Sequence, residues 1–155
     1  MTKKQLKDLD MDRCVEMGRM CACANLRRAA RAVTQMYDRS LRPSGLRATQ
    51  FALLTAVRVL GPLPVTTLAK NTRMDRTTLG RNLKLLENRG MIRITQGDDQ
   101  RVREVSLTDD GKEAIIKAIP YWKEAQGRME SGLGEEGMEN LLSDLSAVTS
   151  LVRKL

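Results

Sequence analysis

Apolar residues recur along this chain with two different periods. Over residues 12–41 the rhythm is helical, with Leu26, Ala30, Val33 and Tyr37 three or four positions apart. RPSG at 42–45 stops it, because Pro43 cannot continue a helix and Gly45 can take a positive φ. A second helix is predicted over 48–60, with Phe51, Leu54 and Val57 on one face, and GPLP at 61–64 ends it. A short helix over 66–71 carries Leu68 and Ala69, and TRMD at 72–75 reads as a turn. A longer helix then runs over 75–89. Leu79, Leu83 and Leu86 fall at i, i+4 and i+7 on one face, and Gly90 is suited to a left-handed C-cap.

After Gly90 the period drops to two. MIRIT at 91–95 and REVSL at 103–107 alternate apolar and polar residues as half-buried strands do, and QGDDQR at 96–101 has the Gly and Asp of a hairpin turn. Arg101 and Arg103 stand at this tip. Thr108 reads as an N-cap, with Asp109 and Asp110 in the first turn, where the helix dipole favours anions. The helix it opens carries Ile115, Ile119 and Trp122, and a last helix over 135–153 carries Leu141, Leu145, Val148 and Val152. The predicted fold is mainly α with a small β-hairpin wing. Short helix, turn, longer helix and basic-tipped hairpin together make a winged helix-turn-helix.

Composition narrows the function. The 155 residues suit one domain, and with aromatics at 3% the core falls to aliphatic residues, which favours helices. There is no histidine, which removes the Ser-His-Asp and Cys-His triads, the HExxH motif and finger-type zinc sites. No Gly-rich phosphate loop appears, so neither an enzyme nor a cofactor is expected. The opening MTKKQLKDLDMDR is charged throughout, unlike a signal peptide, and no window approaches 18 apolar residues, so no membrane association is expected. Three cysteines without an export signal read as free thiols in a reducing cytoplasm.

Net charge is +8, unevenly distributed: residues 1–107 hold 21 Lys+Arg against 10 Asp+Glu, and residues 108–155 hold 6 against 9. This split suggests a polyanion-binding part joined to a part with another task. On the 75–89 helix, Arg76, Thr77, Arg81 and Asn82 lie away from the leucine face, and the turn adds Arg73. Arginine reads guanine bidentately, threonine contacts a thymine methyl or a phosphate, and asparagine reads adenine. Arg101 at the hairpin tip would reach the adjacent minor groove or backbone. A solvated basic face on an ordinary amphipathic helix is the plain alternative. The helix-turn-helix spacing, the period switch and the tip arginine favour double-stranded DNA. A nucleoid-type or partner-binding winged helix is the competing function.

The stretches LAKNTRMDRTTLGRNLKLLENRGMI and DDQRVREVSLTDDG, with LRATQFALL at 46–54, resemble the MarR family of bacterial transcriptional regulators. The match runs through Leu68, Ala69, Asp75, Thr77, Leu79, Leu83, Leu86 and Glu87, then through Gly90, Asp99, Arg101, Val105, Leu107, Thr108 and Gly111. The resemblance implies a DNA-binding lobe at 46–111 within a single chain, 1–155, with helical dimerisation regions at 12–42 and 112–155. It places major-groove reading on Arg76, Thr77, Thr78 and Arg81 and minor-groove contact on Arg101, which Asp99 braces. Gly80 stands where many members carry Thr or Ser. The apolar stripes of 115–129 and 141–155 exceed what a small monomer's core needs, which independently favours a homodimer on a pseudo-palindromic operator over helices folded back on one monomer. The family is mostly repressive, and it often binds small, anionic organic effectors between the DNA lobe and the dimer helices.

Cys14, Cys21 and Cys23 lie on or before the first predicted helix. In the family's organic-hydroperoxide-sensing branch a reactive Cys precedes the second-helix Gln by 27 residues, and counting back from Gln50 reaches Cys23. One of that branch's two hydrogen-bonding tyrosines matches Tyr37; at the other position stands Arg27, one helical turn from Cys23 and able to favour the thiolate. On a regular helix Cys21 and Cys23 point about 200° apart, which disfavours a disulfide between them and makes a bridge to a second subunit the better option. The readings left open are packing of small apolar side chains in a dimer helix, oxidant sensing, and soft Cu(I) binding if the segment is not helical.

Overall fold

A computed structural model describes residues 11–97 and 99–153. The charged leader 1–10, Asp98 of the predicted turn and the last two residues of the predicted dimerisation region lie outside the described residues. The chain divides into two compact units, one ending at Met36 and the other beginning at Tyr37.

The first unit holds α1 (Met11–Met20) and most of α2 (Ala22–Leu41). The single helix predicted over 12–41 is thus interrupted at Cys21. Helical backbone bonds still span the junction, from Cys21 N to Met17 O (3.0 Å) and from Asn25 N to Cys21 O (3.1 Å). At the break the Asn25 amide donates to the Arg19 carbonyl (2.8 Å) and the Cys21 carbonyl (3.0 Å). A short polar side chain competing for backbone carbonyls is a known source of helix irregularity.

In the second unit, a 3₁₀ turn at Arg42–Ser44 closes on Gly45, whose φ of 76° is left-handed. The N-terminus of α3 (Ala48–Leu60) is held from both sides: Asp38 accepts from Ala48 N (2.7 Å), and Gln50 accepts from Arg47 N (3.0 Å). Helix α3 buries Phe51, Leu53, Leu54 and Val57. The GPLP stop then contributes a strand that was not predicted. β1 (Leu63–Pro64) pairs antiparallel with β3, Leu63 opposite Val105, so the predicted two-stranded hairpin is a three-stranded sheet in the order β1-β3-β2. Proline lacks the N–H a central strand needs, and β1 is an edge strand, where that lack is tolerated.

Helix α4 (Val65–Thr72) ends on Arg73, whose φ of 51° is left-handed. Asp75 caps α5 (Arg76–Asn88) by accepting from Thr78 N (2.8 Å). Leu79, Leu83 and Leu86 are buried, so the predicted leucine face is the packed face. β2 (Ile92–Gln96) lies one residue later than the predicted 91–95, β3 (Arg103–Leu107) matches its prediction, and the two pair with Ile94 opposite Val105.

Helix α6 (Asp109–Arg153) opens at Thr108 as expected, continues through Pro120 and breaks at Gly134 (φ 73°, ψ 169°), the predicted boundary of the last helix. Thr108 Oγ1 accepts from Gly111 N (3.1 Å) and donates to Gly90 O (2.6 Å), tying the start of α6 to the turn after α5. Gly111 has to be glycine, since a Cβ there would lie 2.1 Å from the Met91 carbonyl oxygen. The core joins α3, α4, α5, the sheet and the first half of α6 through Leu54, Leu68, Leu79, Leu86, Val105 and Ala118. Each buried Leu contributes roughly 1.5–3 kcal/mol from removal of apolar surface. Trp122 of α6 stacks on Phe51 with ring centroids 6.3 Å apart. Among the described residues no helix is long and apolar enough to cross a membrane.

Candidate nucleic-acid interface

Burying Leu79, Leu83 and Leu86 turns the opposite face of α5 outward. Thr77, Thr78 and Arg81 are exposed there, Arg76 is exposed in the first turn, and Arg73 is exposed just before it. Lys84, one turn beyond Arg81 and also exposed, joins this face. Its i, i+4, i+7 spacing with Thr77 and Arg81 is the sequence signal that puts it on this face. Asn82 departs from expectation: it is half-buried, and its amide donates to Thr78 O (2.9 Å), so its donor is engaged within its own helix.

The Asp75 carboxyl is held below the usual carboxylate range, first by its hydrogen bonds from the Thr78 side chain and backbone and then by the Thr77 backbone. It stays ionised at the mouth of α5, where the helix dipole favours negative charge.

At the wing tip, Asp99 Oδ1 accepts from the backbone N of Arg101 (2.9 Å), Val102 N donates to Asp99 O (2.8 Å), and Gly97 N donates to Val102 O (2.8 Å). Asp99 therefore braces the loop that carries Arg101 rather than its guanidinium. Arg103 begins β3, exposed, opposite Gln96. Among the described residues the ion pairs are Lys112–Asp109 and Arg128–Glu124, both on α6. The guanidinium groups of Arg73, Arg76, Arg81, Arg101 and Arg103 take part in neither. The helix and the wing thus present exposed cations suited to a polyanion.

The candidate thiols stand apart from this face in sequence. Cys14, Cys21 and Cys23 are free and exposed. Cys21 occupies the one-residue junction between α1 and α2, and helical backbone bonds run through it to Asn25, so Cys21 and Cys23 keep a helical spacing. Tyr37 was expected to serve the thiol. Its hydroxyl donates instead to Gln126 Oε1 on α6 (2.6 Å), and burial, followed by the charge of Glu130, raises its pKa.

A buried-leucine helix set after a short helix and a tight turn, followed by a three-stranded sheet with a basic loop, defines a winged helix-turn-helix protein. The MarR family model matches residues 46–102. The chain is similar to the transcriptional regulator MosR of Mycobacterium tuberculosis, crystallised with DNA: 36% identity, 86% of this chain and 98% of that one covered, TM-score 0.74. It is also similar to the transcriptional repressor CouR, solved on a 23-mer DNA duplex: 25% identity, 86% and 96% covered, TM-score 0.77. An uncharacterized helix-turn-helix-type transcriptional regulator of Bacillus subtilis, YwoH, is 27% identical over 103 residues, 64% of this chain and 75% of its own length. The chain belongs to the MarR family and is a winged helix-turn-helix transcriptional regulator, not an enzyme.

Proposed function

We propose that the chain is a cytoplasmic, sequence-specific repressor that binds a pseudo-palindromic operator as a homodimer and is released by a small organic effector or by thiol oxidation. The observation that carries the reading is the outward face of α5, with Arg76, Thr77, Thr78 and Arg81 exposed beside a wing whose Arg101 backbone is fixed by Asp99. In this reading α5 enters the major groove, Arg73 and Lys84 meet phosphates, and Arg101 enters the minor groove. The DNA complexes of MosR and CouR support it.

Support for a homodimer comes from the apolar side chains that each unit leaves exposed. These are Met11, Val15, Met17 and Met20 in the first unit, and Leu142, Leu145, Val148, Leu151 and Val152 near the C-terminus. Two apolar helical stretches left open to water favour a second copy of the same chain as their cover. Exposure of all three thiols supports oxidation as a release signal, with Cys23 the leading candidate.

The test is fluorescence anisotropy with a duplex selected from random DNA by the wild-type protein, against unselected duplex, at two salt concentrations. A repressor prefers the selected site by a factor of about 10³ or more; equal affinities refute the regulator reading and favour a nucleoid-type role. Arg101→Ala is expected to weaken both complexes and reduce the salt slope by about one. For the thiol, organic hydroperoxide is added to the bound complex, and release that persists in Cys23→Ser clears Cys23 of the role.

A further inference from the structure

The fifth residue of α5 is Gly80, in the interior of the helix. A glycine there weakens the helix relative to alanine, so its presence calls for a cause. The chain supplies none. Gly80 shows no left-handed φ, and a Cβ built on it meets no atom within 4 Å. Gly18, Gly127 and Gly132 also face open space, but none of them lies in the helix-turn-helix. At 100° per residue Gly80 stands about 100° from buried Leu79 and about 100° from exposed Arg81, at the border between the packed and outward faces.

A second observation concerns what lies beside it. Gly80 edges a cleft of about 570 Å³ between α4 and α5. Val65, Ala69, Met74 and Leu79 line it with apolar surface, Thr66 adds a hydroxyl, Lys70 and Arg76 bring cationic side chains, and Asp75 brings its carboxylate, which caps α5. An apolar hollow with the Lys70 ammonium at its α4 side, at the edge of a helix proposed to lie in the major groove, fits a base edge with an apolar substituent next to a phosphate. Thymine is the base that presents a methyl group in that groove.

We infer that Gly80 is a close-approach and specificity-determining position: its missing side chain lets a thymine methyl of each operator half-site rest on the apolar lining of the α4–α5 cleft, while Lys70 holds the neighbouring phosphate. The inference rests on the operator-binding reading above and deepens it. A Cβ at position 80 harms nothing inside the chain and obstructs only what lies outside it.

Stability and binding therefore move in opposite directions in Gly80→Ala. The variant is expected to melt about 2–4 °C above wild type, as a helix-interior glycine replaced by alanine should. It is also expected to bind the selected operator about tenfold or more weakly, while its affinity for random duplex is unchanged. In a parallel series, each thymine of the operator is replaced by uracil, which removes the methyl alone. Wild type should lose affinity at one thymine in each half-site, and Gly80→Ala should show no further loss there. Undiminished operator binding by Gly80→Ala, or a wild type indifferent to every thymine methyl, overturns the inference while leaving the repressor reading intact. Equal wild-type affinity for selected and random DNA overturns both.

Discussion

Thr108 joins two parts of the regulator with one hydroxyl. It accepts from Gly111 N as the N-cap of α6 and donates to the carbonyl of Gly90, the residue that leads out of the turn after α5. Thr108→Ala removes both bonds. Loss of an N-cap costs about 1 kcal/mol, and loss of the second hydrogen bond adds about 0.5–1.5 kcal/mol, for a total of about 1.5–2.5 kcal/mol. In a chain of this size that lowers Tm by about 3–10 °C. Thr108→Ser keeps the oxygen and should retain most of the stability. Urea unfolding at one fixed protein concentration measures the difference and avoids the concentration dependence of an oligomer. If Ala falls within about 0.3 kcal/mol of wild type, or Ser is as unstable as Ala, the hydroxyl is not the tie described here.

Asp75 carries a pH signature. Its folded carboxyl titrates below its ordinary value because Thr78 and Thr77 bond the ionised form. Its contribution is therefore complete above the unfolded pKa, about 3.9, and is lost as pH falls through the lower folded value. Asp75→Asn caps without titrating, so the stability gap between wild type and this variant, measured by denaturant unfolding at pH 7 and pH 3, should narrow in acid; a gap that stays constant would exclude the carboxylate. For the proposed homodimer, Val148→Asp puts a charge on an exposed apolar stretch of α6. Sedimentation should show it shifted toward monomer, with operator affinity reduced and the monomer still folded, whereas an unchanged association state would remove this stretch from the interface.

Much of the fold was legible because its signals are local. The 3.6 period of Leu79, Leu83 and Leu86, the switch to alternation after Gly90 and the caps at Asp75 and Thr108 each involve residues within a few positions of one another. Core burial of Leu54, Leu68, Leu83 and Val105 followed from those patterns. The candidate site was legible for the same reason: once the leucines face inward, helix geometry turns Thr77 and Arg81 outward. Lys84 obeys the same rule and was overlooked beside the arginines nearer the helix start.

What the chain determined by itself is its list of helices and strands and the outward face of α5, since both follow from short-range periodicity and capping. Tertiary structure decided the features that depend on a distant partner or on one side chain's choice among acceptors. Leu63–Pro64 reads as a breaker until β3, some forty residues on, offers it a ladder. Tyr37 matches a thiol-bonding tyrosine in sequence, and only the fold shows that its hydroxyl also meets Gln126, 89 residues on. Asp99 reads as a brace for Arg101, and the folded hairpin decides that the bond goes to the Arg101 backbone N–H. Asn25 sits within a regular helical pattern, yet its amide reaches back to the carbonyls where that helix breaks. Periodicity records which face of an element is apolar; it does not record which donor meets which acceptor once the elements are packed.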